Sequence, residues 1–348
     1  MIRIDGAHGE GGGQIVRSSL VLSLMTGQEI EIHNIRAARP KPGLGHQHLT
    51  CVRAAAEISR AVFQGAEPGS RLLRFAPGSV RSGRYRFDIG TAGSVGLVFQ
   101  TLLLPLVLEK RPSEIFLTGG THVPWSPCFH YLDRVFRPAL ETMGILFSLE
   151  LLRWGWYPKG GGEVKARIRP TSAGLRPFRA PDERANCIPM IRVLAASSRL
   201  PGHIRARLAA RIKDLLSAKG IPSEIEEVEG DAVSPGCMLF CSVCKPGCYG
   251  GFTGMGERGR PAEAVAEDVF HGIYAFLDSR ATVDERLSDQ LILPALLAEG
   301  VSIWTTSRLT GHLRTVAWVA GEFGFGPVEF YEPGGRNVTV IVHGRPLH

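Results

Sequence analysis

The sequence predicts an α/β (α+β) protein of three repeated βαβα-type units, with a small α+β domain inserted before the third. Three observations predict it. First, a glutamine opens an apolar helical run three times: Gln14 in residues 12–20, Gln100 in 93–102 and Gln290 in 287–296. Second, another amphipathic run follows each, at 48–54, 131–136 and 312–318, with extended β-branched runs at 29–35, 114–117 and 301–305. Third, the spacing is unequal. Gln14 to Gln100 spans about 86 residues and Gln100 to Gln290 about 190; Leu49 to Leu132 spans about 83 and Leu132 to Leu313 about 181. Both series leave an extra block of about 100 residues before the third unit, the size of a domain. The predicted division is 1–175 plus 278–348 for the repeat domain and 176–277 for the insert, with residues 171–174 as the linker.

In the first unit, a strand-like run with Ile2 and Ile4 enters a glycine-rich loop, and a helix with Ile15, Leu20 and Leu22 leaves it. Glycines let backbone approach a ligand, and a helix start after such a loop points N–H groups at an anion. Glu10 is the only acid in the loop itself. It suits a divalent metal that grips phosphate oxygens, or equally a solvated turn. Residues 35–50 follow, basic through Arg36, Arg39 and Lys41 and stiffened by Pro40 and Pro42. With Arg17 they supply four cations, enough to line a polyphosphate or a nucleic-acid end. His46 and His48 lie at a loop-to-helix junction, which favours a structural or substrate-contacting His48 over metal ligation.

In the second unit His122 and His130 flank Pro124-Trp125-Ser126-Pro127. Pro127 and Tyr131 offer an apolar, aromatic surface for a nucleobase, although ordinary loop packing is the plainer reading. The insert reads as a strand at 188–195, a helix at 203–219 stopped by Gly220, strands at 225–228 and 238–243, and a helix at 261–277. Residues 254–259 fit G-x-G-x-x-G without the strand–turn–helix context that a dinucleotide site requires. Cys237, Cys241, Cys244 and Cys248 form C-x3-C-x2-C-x3-C, a spacing that four zinc-binding thiolates can adopt. A strand there sends Cys241 and Cys244 to opposite faces, which argues against a metal. Cys51, Cys128 and Cys187 read as small buried hydrophobes.

The third unit carries His312 at a strand-to-helix turn behind Gly311. A helix N-terminus lowers an imidazole pKa and attracts phosphate, so a neutral ring there can attack the α-phosphate of ATP. Position alone favours a cap or surface residue.

Composition and missing motifs bound the rest. The 348 residues support one or two domains with a large core, and the net charge of +7 suits an acidic ligand such as RNA without requiring one. No apolar run is long enough to cross a bilayer, and no signal peptide is visible, so a soluble cytoplasmic protein is expected, nuclear if eukaryotic. There is no G-x-x-x-x-G-K-[ST] phosphate loop, no K-x-D-G ligase lysine and no G-x-S-x-G elbow.

Taken together, the motifs resemble those of the RNA 3'-terminal phosphate cyclase family. They are the Glu10 loop, residues 36–48, Gly90-Thr91-Ala92-Gly93-Ser94 with Gln100, Tyr157-Pro158-Lys159-Gly160-Gly161-Gly162, Asp289-Gln290, and Gly311-His312-Leu313-Arg314-Thr315. Residues 256–263 of the insert also look like a segment of that family. The resemblance implies units arranged around a common core and an ATP-dependent cyclisation of an RNA 3'-phosphate end through adenylylated His312. By position it implies an ATP site shaped by Gln14, Gln100, Pro127, Tyr131, Arg286, Asp289 and Gln290. Arg17, Arg36, Arg39, Lys41, Gln47 and His48 would bind the RNA phosphate, and Glu10 would hold Mg2+ or Mn2+. Arg286 departs from the resemblance by standing where an aromatic is expected, which leaves nucleotide preference open; the cysteine cluster is a second departure. Two other readings share the unit pattern. Cyclase-like ribosome-assembly proteins lack adenylylation chemistry, which His312 and Glu10 argue against, and enolpyruvyl transferases match the motifs less closely. Monomer and homodimer both remain open.

Overall fold

The computed structural model describes residues 1–180, 188–332 and 337–346. The first unit runs β1 (Ile2–Asp5), α1 (Gly13–Thr26), β2 (Ile30–His33), α2 (His46–Ser59), β3 (Val62–Gln64) and β4 (Leu73–Ala76). Its sheet has the order β1-β2-β4-β3, with β1 parallel to β2 and the other pairs antiparallel. The second unit runs β5 (Arg84–Asp88), α3 (Val95–Val107), β6 (Ser113–Gly119), α4 (Phe129–Tyr131), a π-turn (Leu132–Phe136), α5 (Arg137–Thr142), β7 (Phe147–Arg153) and β8 (Gly162–Ile168). Its sheet order, β5-β6-β8-β7, follows the same plan, again with only the first pair parallel.

The insert contributes β9 (Met190–Ser198), α6 (Gly202–Ser217), β10 (Ser223–Glu229), β11 (Gly236–Cys244), β12 (Gly251–Met255) and α7 (Ala262–Ser279). Its sheet order is β10-β9-β11-β12. Strand alternation divides its side chains between two cores. Ile191, Val193, Leu239 and Cys241 pack with Leu208, Ile212, Val265 and Ile273 of the two helices. Leu194, Ala196, Met238 and Phe240 face the other way and join the main core. Of the glycine-rich run 254–259, Gly254 and Met255 end β12, an edge strand, and residues 256–259 form the loop that leads into α7. A Cβ at Gly254 would stand 2.7 Å from Val265.

The chain then forms α8 (Glu285–Gln290), α9 (Ile292–Leu296), β13 (Gly300–Thr306), α10 (Gly311–Glu322), β14 (Val328–Tyr331) and β15 (Val338–Gly344), with sheet order β13-β15-β14. Leu175 and Arg179, which stand on either side of the predicted boundary at 176 and before β9, already make parallel bridges to Ala298 and Ile303. The chain therefore meets this sheet on both sides of the insert. Helices α1, α2, α3 and α10 pack together on the inner faces of their sheets. Ile15, Leu20, Phe99, Leu102, Leu313 and Val316 share the main core there. That convergence brings the N-termini of α1 and α10 to one place.

Cys51 and Cys128 are buried, and Cys187 lies outside the described residues. Cys241 faces the insert core while Cys244 lies on the opposite face of β11, beside Arg192 and Arg137. Among the described residues no three His, Cys, Asp or Glu side chains gather as a metal-ligand set. No helix among them is long and apolar enough to cross a membrane.

Candidate active site

The glycine-rich loop reaches α1 through Gly9 and Gly11, both in the left-handed region at φ +56° and +53°. At the start of α2, the Gly45 N–H donates to His48 Nδ1 at 3.0 Å. That bond places the proton of the neutral ring on Nε2, which lies against Gly13; a Cβ at Gly13 would overlap the imidazole. Burial, then Arg17 and Arg36, push the His48 pKa down to about 3, so it is a neutral donor at working pH. Arg36 donates to the Gly43 carbonyl at 2.8 Å and Arg39 to the Glu10 carbonyl at 3.1 Å. The Gln47 amide nitrogen is buried with no protein partner, which leaves a donor for a ligand oxygen.

On the facing side, α10 is capped by Thr310, whose Oγ1 accepts the Leu313 N–H at 3.1 Å. His312 follows Gly311, where a Cβ would collide with the Glu10 carboxylate. His312 Nδ1 bonds Gln14 Oε1, and Nε2 lies 3.2 Å from Glu10 Oε2 with half of the side chain exposed. Burial lowers the His312 pKa, Glu10 opposes that shift, and Arg17 and Arg39 add to it. Gln14 Nε2 reaches Asp289 Oδ1 at 3.5 Å, and Gln100 Nε2 donates to Gln290 Oε1 at 2.7 Å. The three glutamines of the sequence pattern line the same cleft as His312, although only Gln14 opens its helix: Gln100 lies within α3 and Gln290 closes α8. Desolvation pushes the Asp289 carboxyl up to about 8, against the pull of Arg17.

These groups line one open cleft. It gathers Glu10, Gln14, Arg17, Arg36, Arg39, Gln47, His48, Gln100, Pro127, Arg286, Asp289, Gln290 and His312, all expected from sequence. Two expected residues stand elsewhere. Lys41 is exposed and does not line the cleft. Tyr131 is only 1% exposed, and its hydroxyl donates to Asp284 Oδ1 at 2.9 Å instead of facing a base. Asp284 in turn accepts the Arg286 and Leu287 N–H groups at 2.8 and 2.9 Å, so Tyr131 braces the start of α8 from behind. The aromatic that does reach the cleft is Trp125, 93% exposed and at φ +60°. Thr253 and Met255 of the insert complete that wall. Trp125 stood within the quoted Pro124–Pro127 motif, but nothing in its neighbours marked it as the exposed ring.

The fold and cleft define an α+β protein with an open site that gathers cations, the N-termini of α1 and α10, and a half-exposed imidazole. Comparison with known proteins gives the family. The model of the RNA 3'-terminal phosphate cyclase family matches residues 8–330. A protein named RNA 3'-terminal phosphate cyclase from Methylococcus capsulatus is 41% identical over 99% of this chain and 97% of its own length. Proteins of the same name from Archaeoglobus fulgidus and Ralstonia nicotianae are each 42% identical, covering 93% and 98% of this chain and 95% and 96% of their own lengths. The chain belongs to the RNA 3'-terminal phosphate cyclase family, a family of RNA cyclase enzymes.

Proposed function

We propose that this protein converts an RNA 3'-terminal phosphate into a 2',3'-cyclic phosphate at the expense of ATP, with His312 as nucleophile. The observation that carries the reading is the position of His312, held by Gln14 through Nδ1 and turned toward the arginine-lined cleft through Nε2. Gln14 Oε1 can only accept, so it favours a proton on Nδ1; Nε2, which faces the Glu10 carboxylate at 3.2 Å, is the nitrogen left for attack when the ring is neutral. Asp289, on the Gln14 amide nitrogen, favours that amide orientation.

In the first step Nε2 bonds to the α-phosphorus of ATP, and pyrophosphate departs with the electrons of the broken P–O bond. Arg17 and Arg39 and the α10 N-terminus face the charge that develops. In the second step an oxygen of the RNA 3'-phosphate displaces His312 from the AMP phosphorus, giving RNA(3')pp(5')A. The Arg36, Gln47 and His48 donors suit that terminal phosphate, His48 as a neutral N–H because its pKa is pushed down to about 3. In the third step the vicinal 2'-OH attacks the 3'-phosphorus, loses its proton, and AMP leaves. Adjacency gives that closure a large proximity advantage.

Glu10 fits a hard divalent cation, Mg2+ or Mn2+. Its carboxylate is partly exposed beside the cleft, and a single protein carboxylate leaves the remaining positions for water and phosphate oxygens. A cation bound there would neutralise charge on the phosphate oxygens. Incubating the protein with ATP, Mg2+ and a 3'-phosphorylated oligonucleotide tests the reading. The end should become resistant to phosphatase with one AMP released per end. An end that stays phosphatase-sensitive while nucleotide and RNA both bind would overturn it.

A further inference from the structure

Three consecutive loop residues lie along one face of α10. His8 stacks on Trp318 with ring centroids 3.8 Å apart and planes within 11°. Gly9 meets Thr315 so closely that a Cβ would sit 2.8 Å from its Oγ1. Glu10 meets Gly311 and His312, with Oε2 at 3.2 Å from the imidazole Nε2. Residues 311, 315 and 318 fall on one helical stripe, so the loop runs antiparallel to the helix at one loop residue per turn. Locally, the His8 N–H bonds the Asp5 carbonyl at 3.2 Å and the Gly11 N–H bonds the His8 carbonyl at 2.9 Å. His8 therefore joins two turns of a glycine-rich segment that has few side chains to fix it. Arg39 holds the Glu10 carbonyl from the other side.

We propose that the His8–Trp318 stack is a positioning device: it pins the loop to α10 so that the Glu10 carboxylate is delivered opposite His312. Its functional part rests on the reading that Glu10 and His312 serve nucleotidyl transfer. Neither His8 nor Trp318 lines the cleft. The stack acts through Glu10, at the end of the helix remote from the chemistry. An aromatic ring at position 8 preserves it, whereas a small side chain does not.

Hydrogen exchange and metal-dependent labelling test the device separately on the full chain, in wild type, His8→Ala, His8→Phe and Trp318→Ala. His8 is exposed, so His8→Ala leaves the core intact, which Trp318→Ala does not guarantee. In both Ala variants the amides of residues 9–12 should exchange faster by roughly three- to tenfold, the equilibrium worth of one aromatic pair. The Mn2+ concentration for half-maximal AMP labelling should rise by about the same factor, with the labelling rate at saturating Mn2+ unchanged. His8→Phe should match wild type in both. Unchanged exchange in His8→Ala would overturn the device, and faster exchange with an unchanged Mn2+ midpoint would overturn its action on Glu10. A wild type that takes no label contradicts the nucleotidyl-transfer reading and this functional role with it, while exchange still decides whether the stack pins the loop.

Discussion

The protein holds histidines in two contrasting settings. His312 stands half exposed at the cleft, between Gln14 and Glu10. His122 and His130 are buried under the insert, His122 Nε2 at 3.0 Å from His130 Nδ1 and His122 Nδ1 at 2.7 Å from Thr121 Oγ1. Trp154 stacks on His122 at 4.1 Å, and Trp156 and Phe240 of the surrounding shell seal the pair. Burial lowers the pKa in both settings: for His130 to about 3, assisted by Arg134, and well below the ordinary value for His122, assisted by His130. A neutral imidazole is therefore no mark of function in this molecule. Access and the company of Arg17, Arg36 and Arg39 separate the cleft histidine from the buried pair.

Substitutions sharpen that contrast. Gln14→Ala removes the group that favours the His312 tautomer, and AMP labelling should slow by about 10- to 100-fold with melting little changed, since tautomer control is worth orders of magnitude in rate. His122→Ala should do the reverse. It leaves a cavity and takes the His122 partner from His130 Nδ1, while Thr121 keeps its bond from the Gly155 N–H. The cost should be about 2–4 kcal/mol in denaturant unfolding, with labelling per folded molecule at wild-type level.

The pH dependence of stability breaks or supports the same contrast. The folded state holds His122 and His130 neutral, so unfolded chains bind more protons below the ordinary pKa of 6.5. Stability should fall as pH drops from 6.5 toward 3, by up to about 1.4 kcal/mol per pH unit for each group. His130→Phe should flatten that slope in pH-dependent urea melts. Asp289 gives an effect of opposite sense. Its carboxyl is raised from 3.8 to about 8, so its contribution is present below 3.8 and is lost as pH rises toward 8. Asp289→Asn should gain relative stability across that window; an unchanged pH profile would mean that Asp289 is ionised without penalty.

Much of the cleft was legible because its chemistry is written in local motifs. The glycine loop with Glu10, the Arg36–His48 stretch and Gly311-His312 each sit at a helix start, and α-helix convergence brings those starts together. The three glutamines were visible as a pattern, but their gathering in one cleft depends on packing that no single segment specifies. Tyr131 failed as a cleft residue because a short α4 leading into a π-turn rotates its ring inward onto Asp284. Trp125 was overlooked because exposure depends on its left-handed backbone rather than on residue type. Arg179 joins β13 and Leu175 joins Ala298 just before it, by single bridges too brief to produce a strand pattern. The buried pair His122–His130 was seen only as two polar residues flanking a proline motif, since Trp154, Trp156 and Phe240 come from distant segments.

The most direct measurement is covalent labelling with α-labelled ATP and Mg2+, repeated with Mn2+, on wild type and His312→Ala. Acid-labile, alkali-stable AMP should form on wild type and none on the variant, with both equally folded. Label retained by His312→Ala would mean that another residue is the nucleophile. No label on wild type, with nucleotide binding verified, would contradict the covalent mechanism.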